Sequence, residues 1–520
     1  MQYLSAPVAI SKQTARAKLK SGASPQTPAL HIAMASPEIA PFAKTGGLAD
    51  VLASLPRALE RLGLRLSLIM PAYRSILQDD FRLEDTGIRF AVPISHRKEE
   101  GILLKADTGN GIVVYLIRAD RYFDRDHLYT TPEGDYPDNA ERFIFFARAI
   151  LEVLKLDPPS ILHAHDWQSA LSVVFLRDQP HLYPELAAVK TILTVHNLGY
   201  QGLFPQSVWH LLNLEGSLFT PRYLEFYGRI NFLKGGLVFA DTITTVSPTY
   251  AEEIKTAEQG FGLEGVFRER AADLIGILNG ADYNIWDPET DPFIAKQYSA
   301  KSLSGKQFCK ADLQRRFCLE EDPGIPLIGM VSRLVSQKGL DLLEETLGDL
   351  LSRGSQFVLL GTGDSQYQDF FRRVPTEYPG KAGVLIAYDE SEAHKIIAGS
   401  DMFVSPSRYE PGGLTQLYSL RYGTIPIVRA TGGLEDTVEE FDPKTGRGNG
   451  LVFKPYKARD FLAAVDRALA LLRRREEWTT MMKNAMTTDF SWEHSARAYL
   501  DLYRRLANLS SDEGGRRQAK

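Results

Sequence analysis

Residues 31–70 read HIAMASPEIAPFAKTGGLADVLASLPRALERLGLRLSLIM, and this stretch decides the fold class. A short apolar run at 30–35 has the length of a buried strand. A loop follows that closes on Gly46-Gly47, then a helical stretch at about 48–62, then a second apolar run at 64–70. Continuously apolar strands that alternate with helices imply a parallel sheet covered on both faces.

The same alternation continues outward. Further strand-like runs lie at 112–117, 161–164, 191–195, 242–246 and 274–278, with helical stretches at 140–156 and 167–177 among them. A polar stretch containing Pro288 and Pro292, residues 282–305, reads as a linker. The alternation then restarts, with strands at 327–331, 357–360, 384–387, 402–404, 425–428 and 451–453 and a helix at 339–351. Helices at 458–472 and 494–506 close the chain. Two such series around a Pro-containing joint give an α/β protein of two doubly wound, Rossmann-like domains facing each other across a cleft. The expected boundaries are a disordered leader over 1–29, a first domain over 30–290 and a second over 291–490. A C-terminal helix over 491–510 returns to the first domain, and 511–520 form a disordered tail.

Composition narrows the function. The 520 residues are 44 % hydrophobic and 24 % charged, which excludes wholesale disorder and fibrous folds. A net charge of -5 argues against nucleic acid held by bulk charge. Two cysteines, Cys309 and Cys318, exclude a disulfide framework and a cysteine-based zinc site and fit a reducing compartment. No apolar run reaches the roughly 18 residues of a membrane span. Residues 1–29 are basic, rich in Ser and Thr and free of acid. They read as a leader on a cytoplasmic protein or, alternatively, as a transit peptide to the plastid stroma.

The chemistry-bearing motifs sit at strand ends. KTGGLADV (44–51) opens a helix after the first strand. Its glycines let backbone amides approach an anion, and Lys44 adds a full charge. HAHDWQ (163–168) and TVHNLGYQG (194–202) end two later strands. Histidine, acid, amide and indole groups at such ends suit a hydroxyl-rich ligand with an apolar ring face. VSRL (331–334) and QKG (337–339) place Arg333 and Lys338 where they can converge on a diphosphate. PSRYEPGGLTQ (406–416) sets one carboxylate, Glu410, beside Gly412 and Gly413, and ATGGLEDT (430–437) repeats the Gly-Gly turn. Repeated phosphate-style turns with one acid among them point to a sugar nucleotide. Asp124-Arg125-Asp126 matches a metal-binding DxD but reads as an ordinary loop, and no metal is assigned.

In this order, KTGGLADV, HAHDWQSAL, TVHNLGYQG, ILNGAD, VSRL with QKG, and PSRYEPGGLTQLYSLRYG resemble the bacterial glycogen synthases and plant starch synthases. These form the ADP-glucose-using family 5 of glycosyltransferases with the GT-B fold, and the resemblance runs from about His31 to Leu506. It implies retaining transfer of glucose from ADP-glucose to the non-reducing 4-OH of an α-1,4-glucan such as glycogen or starch, with no cofactor. It implies catalytic roles for Glu410, His196, Asp50, Arg333 and Lys338. Lys44, Gly46, Gly47, Asn279, Arg333, Lys338, Tyr388 (stacked on adenine), Gly412, Gly413, Leu414, Thr415, Gly432 and Gly433 would bind the donor. Asp138, Asn139, Asp166, Trp167 and Gln168 would line the acceptor cleft. The alternative is a GT-B glucosyltransferase using UDP-glucose or another acceptor.

Two departures stand out. The family often has Cys where this chain has Gly412, and Tyr418 stands where relatives with an E-x7-E pattern have a second Glu. Closure would hinge at 282–305 and at the chain's return near Asp489, excluding water. The sequence leaves oligomeric state open.

Overall fold

The computed structural model describes residues 30–108, 111–131 and 134–517. The expected leader, 1–29, and the last three residues of the expected tail lie outside them.

The first sheet has nine strands: β1 His31–Ala35, β2 Arg65–Pro71, β3 Leu83–Ile94, β4 Arg97–Asp107, β5 Val113–Arg118, β6 Ile161–His165, β7 Lys190–Val195, β8 Thr242–Thr245 and β9 Leu274–Gly276. Their order is β9-β8-β7-β6-β1-β2-β5-β4-β3. Pairs from β9 to β5 are parallel, whereas β4 pairs antiparallel with both β5 and β3. The expectation of a wholly parallel sheet is therefore corrected at this edge. The β3–β4 strands were missed because β3 mostly alternates exposed and half-buried residues, and β4 opens on a charged, half-wet stretch before its buried positions, so neither runs apolar. Such charged, half-wet strands suit a sheet edge, where they discourage pairing with another chain.

The second sheet holds β10 Leu327–Val331, β11 Gln356–Gly361, β12 Ala382–Ile386, β13 Met402–Ser405, β14 Ile425–Arg429 and β15 Leu451–Phe453. It is parallel throughout, in the order β12-β11-β10-β13-β14-β15. Both sheets are doubly wound, so the GT-B class holds. Strand order reverses between β1 and β6 in the first sheet and between β10 and β13 in the second. Ligands bind outside the carboxyl ends of strands at such reversals. The loops there are the ones carrying Lys44, His165-Asp166, Arg333-Lys338 and Glu410.

Two chain crossings lie side by side at the base of the cleft. Ala281 bridges in parallel to Ser491, and Ala281 N donates to the Phe490 carbonyl at 2.7 Å. A side chain at Gly280 would strike the backbone of Trp492, so only glycine allows this approach. The segment after the first crossing is no free linker, because Trp286, Ile294 and Tyr298 are buried in the second domain's core. The final helix, Trp492–Arg517, lays Tyr499, Tyr503 and Leu506 on the first domain's core. Its backbone runs seven residues past 510, the expected end of the helix, since each added helical residue gains a hydrogen bond once the helix is nucleated. A further helix, Arg475–Thr487, lies between the last two expected ones. Among the described residues no helix is long and apolar enough to cross a membrane.

Candidate active site

The loop after β1 is built around a buried acid. Glu38 is 4 % exposed and accepts from Thr45 N, from Thr45 Oγ1 at 2.6 Å and from Tyr129 OH at 2.7 Å. Those bonds shape the turn that presents Lys44, Gly46 and Gly47 at the start of helix Gly47–Arg61. Lys44 Nζ lies 2.7 Å from Asp50 Oδ1 and 3.5 Å from Glu390 Oε2 of the second domain. Burial opposes the ammonium, but Asp50, Tyr388 and Glu390 outweigh it and hold its pKa above the ordinary value. Tyr388 is 65 % exposed, with Lys44 Nζ 6.0 Å from its ring centre. An exposed aromatic face beside a fixed cation is what a planar base with a phosphate would meet. Glu38 was not singled out from sequence. The available signal was a lone acid in the apolar loop before the Gly-Gly turn.

At the ends of β6 and β7, the buried His163 and His165 gather with the half-buried His196 and Asp166. His165 Nδ1 and His196 Nε2 are 2.9 Å apart, and His163 bonds Thr194 Oγ1 at 2.6 Å and Tyr503 OH at 2.8 Å. Burial pushes His163 and His196 down to about 3 and His165 well below its usual value, so all three rings are neutral near neutral pH. Asp166 holds a left-handed φ of 55° and accepts from His196 N at 2.7 Å. Burial pushes its carboxyl up to about 7, against the backbone amides of His196 and Asn197.

The expected acceptor residues separate. Trp167 is 9 % exposed, and its ring meets Phe143, Phe204 and Phe232 at 4.9, 5.7 and 6.4 Å between centres. It belongs to the first domain's core, at the start of helix Asp166–Asp178. Gln168 is buried beside it. Asn139 is also buried, bridging the Tyr129 carbonyl and Arg142 NH1. Asp138 is paired with Arg125 through both oxygens, at 3.1 and 2.6 Å. Of the five expected acceptor groups, Asp166 bonds the His196 amide, and the Trp167 ring lies against Gly202 at the end of the same loop.

The second domain brings its charges together more tightly. Lys338 Nζ donates to Glu410 Oε2 at 2.6 Å, and Ser407 Oγ donates to the same oxygen at 3.0 Å. Glu410 is 5 % exposed. Arg333 stays exposed, with NH1 3.3 Å from Tyr200 OH of the first domain. Asn197 Nδ2 reaches Gln337 Oε1 at 3.3 Å, again across the cleft. Asn279 is buried with its Oδ1 unpartnered, and a Cβ on Gly412 would sit 3.0 Å from its Nδ2. Gly413 has φ 63°, Leu414 faces Gly47 across the cleft, and Thr415 opens helix Thr415–Arg421.

Gly432 and Gly433 have a different place from the one expected. Gly432 N donates to both oxygens of Glu253, and Gly433 N donates to the Glu410 carbonyl at 3.0 Å. Their amides are taken by protein and do not face an open anion site. Their small size matters more, since a Cβ on Gly432 would lie 2.1 Å from the Glu410 carbonyl oxygen. Asp124 and Asp126 are both paired with Arg74. Among the described residues no three His, Cys, Asp or Glu side chains gather as a metal site. Tyr418 stacks on Trp286 at 4.0 Å, which stacks in turn on His394 at 3.7 Å, so it is a packing residue.

This geometry can be set beside known proteins. Residues 31–269 match the starch synthase catalytic domain family, and residues 314–485 match glycosyl transferases group 1. A glycogen synthase of Koribacter versatilis is 50 % identical over 92 % of this chain and 99 % of its own length. One from Geobacillus stearothermophilus is 44 % identical over 92 % of this chain and 98 % of its own. The catalytic domain of starch synthase IV from Arabidopsis thaliana, bound to ADP and acarbose, superposes with a TM-score of 0.86 at 34 % identity. The match covers 93 % of this chain and all of that one. A sucrose-phosphate synthase of Thermosynechococcus elongatus shares the fold alone, at a TM-score of 0.58 and 19 % identity. With half its residues identical along nearly the whole of a glycogen synthase, and with a starch synthase's fold, the chain belongs to the glycogen and starch synthase family of glucosyltransferases.

Proposed function

We propose that this glucosyltransferase moves glucose from ADP-glucose to the non-reducing 4-OH of an α-1,4-glucan with retention of configuration. The observation that carries the reading is the Lys338–Glu410 pair at the strand-order reversal of the second domain, on a loop whose Gly412 lies against Asn279 of the first. The ADP held by the Arabidopsis relative supports a nucleoside-diphosphate donor. Tyr388 offers an exposed face for adenine, with Lys44 beside it for charge.

In this reading Lys338 and Arg333 take up the charge growing on the departing diphosphate. Fixed donors of this kind are worth roughly 3–4 kcal/mol each in a water-poor site. Glu410 orients the glucosyl ring and favours positive charge at its anomeric carbon. Retaining glycosidases place two carboxylates across the bond. Here Asp50 and Glu410 are each paired with a lysine, Lys44 and Lys338, and Glu410 is the acid assigned to the proposed sugar site. The leaving diphosphate itself then takes the acceptor's proton on the same face. No metal or cofactor is assigned, and Arg74 already occupies both carboxylates of the DxD sequence. A cytoplasmic site of action goes with this reading, the closely similar relatives being bacterial glycogen synthases.

The test is incorporation of labelled glucose into glycogen from ADP-glucose and from UDP-glucose, in EDTA, with Glu410→Ala as control. Transfer from ADP-glucose that survives EDTA and is lost in the variant is expected. Preference for UDP-glucose would shift the donor, and loss in EDTA would bring back a metal.

A further inference from the structure

The two domains hold each other through a reciprocal pair of carboxylates away from the proposed reacting groups. Asp436, on helix Gly432–Thr437 of the second domain, accepts from Ser247 Oγ, from Thr249 N at 3.2 Å and from Thr249 Oγ1 at 2.6 Å in the first. Glu253, on helix Pro248–Glu253 of the first domain, accepts from Thr431 Oγ1 at 2.9 Å and from Gly432 N at 3.1 Å in the second. Each short helix thus carries one acid that satisfies donors at the start of the other. Both acids are half-buried, where hydrogen bonds to charged acceptors are stronger than in open water.

The clasp is joined to the proposed site at both ends. On one side, Gly433 N donates to the Glu410 carbonyl, so the turn gripped by Glu253 lies under the Glu410 loop. A Cβ on Gly433 would fall 2.1 Å from the Gly412 carbonyl oxygen, leaving no slack in that stack. On the other side, Val246 precedes Ser247 and sits against Gly412, its Cγ2 3.1 Å from where a Cβ there would be. The same few residues therefore fix the second domain's Glu410–Gly412 loop against the first domain's Val246 and Asn279. By contrast, Arg333–Tyr200 and Asn197–Gln337 are single bonds at 3.3 Å.

We infer that Asp436 and Glu253 are positioning residues. Their clasp holds the cleft closed, sets Glu410 in register with the first domain, and keeps water from the donor. The inference rests on the transfer reaction proposed above. Opening the clasp should slow transfer and raise the share of donor lost to water, since closure both assembles the site and excludes water.

The test uses the full chain with Asp436→Ala, Thr249→Val and both together, and with Asp436→Asn as a shape-conserving control. Transfer to glycogen, ADP release without acceptor, and small-angle scattering of ligand-free protein are measured. Asp436→Ala is expected to lower kcat about tenfold while KM for the donor moves less than about threefold. Its share of ADP released by hydrolysis and its radius of gyration should both rise, and Asp436→Asn should fall between it and wild type. The double variant should be no worse than Asp436→Ala, because both changes break the same bonds. Unchanged kcat, or losses that multiply in the double variant, would overturn the clasp. So would a slower enzyme whose radius and hydrolysis share match wild type, since that is plain destabilisation. A wild-type chain that transfers from neither donor would overturn the reaction instead, leaving scattering alone to decide the clasp.

Discussion

Lys338 Nζ sits 2.6 Å from Glu410 Oε2, and both side chains are largely removed from water. Removing one partner of such a pair strands the other charge, which costs more than the pair itself contributes. Lys338→Ala should lose about 3 kcal/mol of stability, the low end of the range because Lys338 keeps 18 % of its side chain exposed. Lys338→Ala with Glu410→Gln should regain most of that loss without regaining transfer. Thermal melting and glucosyl incorporation read the two effects separately. A single variant that melts like wild type would show that the pair is not stressed when broken.

The buried histidines and Asp166 pull stability in opposite directions with pH. His163 and His196, at about 3 in the fold, and His165 below its usual value stay unprotonated while the unfolded chain binds protons. Their contribution is present above an unfolded pKa near 6.5 and fades as pH falls toward their folded values. Asp166, at about 7 in the fold, has the reverse sign, with a contribution present below about pH 4 and lost as pH rises through 7. At pH 5 the unfolded chain binds about three more protons on the histidines and about one fewer at Asp166. Asp166→Asn removes the opposing proton. Its stability should therefore climb more steeply than wild type from pH 5 to 6, by about 1.4 kcal/mol. Denaturant titrations at both pH values check this, and equal slopes would place the Asp166 pKa near its ordinary value.

Gly432 has no room for a side chain. It has φ 46°, and a Cβ there would lie 2.1 Å from the Glu410 carbonyl oxygen. Gly432→Ala must move the Glu410 loop or the turn beneath it, at a cost of about 1–3 kcal/mol. Transfer should fall at least about tenfold, because small displacements of positioning groups are costly to rate. An alanine variant with wild-type kcat would show that the loop is less constrained than its packing implies.

Gly412 is a milder case, with nothing closer than 3.0 Å to an added Cβ and both neighbours, Asn279 and Val246, contributing side-chain atoms that can yield. Gly412→Cys should fold and keep at least about a third of the activity, since volume changes that neighbours can absorb cost little. It should also become sensitive to alkylation. In the present chain Cys309 is buried and Cys318 is exposed, so Cys318→Ser is the background for that measurement. Iodoacetamide that leaves the variant fully active would mean that the position is closed to reagents.

Most of the architecture was legible because it rests on local signals. The apolar runs of β1, β2 and β6 to β8, and of β10, β11, β13 and β14, are buried on both faces over most of their length and so read as strands whatever they pair with. The β3–β4 hairpin escaped because half-exposed, charged strands carry a weaker pattern. Lys44, Arg333, Lys338 and Glu410 were legible because glycine-rich turns at strand ends announce where ligands can approach.

What the sequence by itself determined is therefore the alternation of strand and helix, and the loops that carry charge at strand ends. Only the tertiary structure decided what each of those side chains faces. It sent Trp167 and Asn139 into the core, gave Gly432 to Glu253, and joined Lys338 to Glu410 from 72 residues away. The physical reason is range. Burial and turn chemistry act within a few residues and leave a mark on local pattern, whereas a hydrogen bond across two domains depends on how both sheets are placed. The reciprocal grip of Asp436 and Glu253 is the clearest instance, since ATGGLEDT carries Asp436 without showing what it faces, Glu253 stands in no motif, and each acquires its partner only when the domains meet.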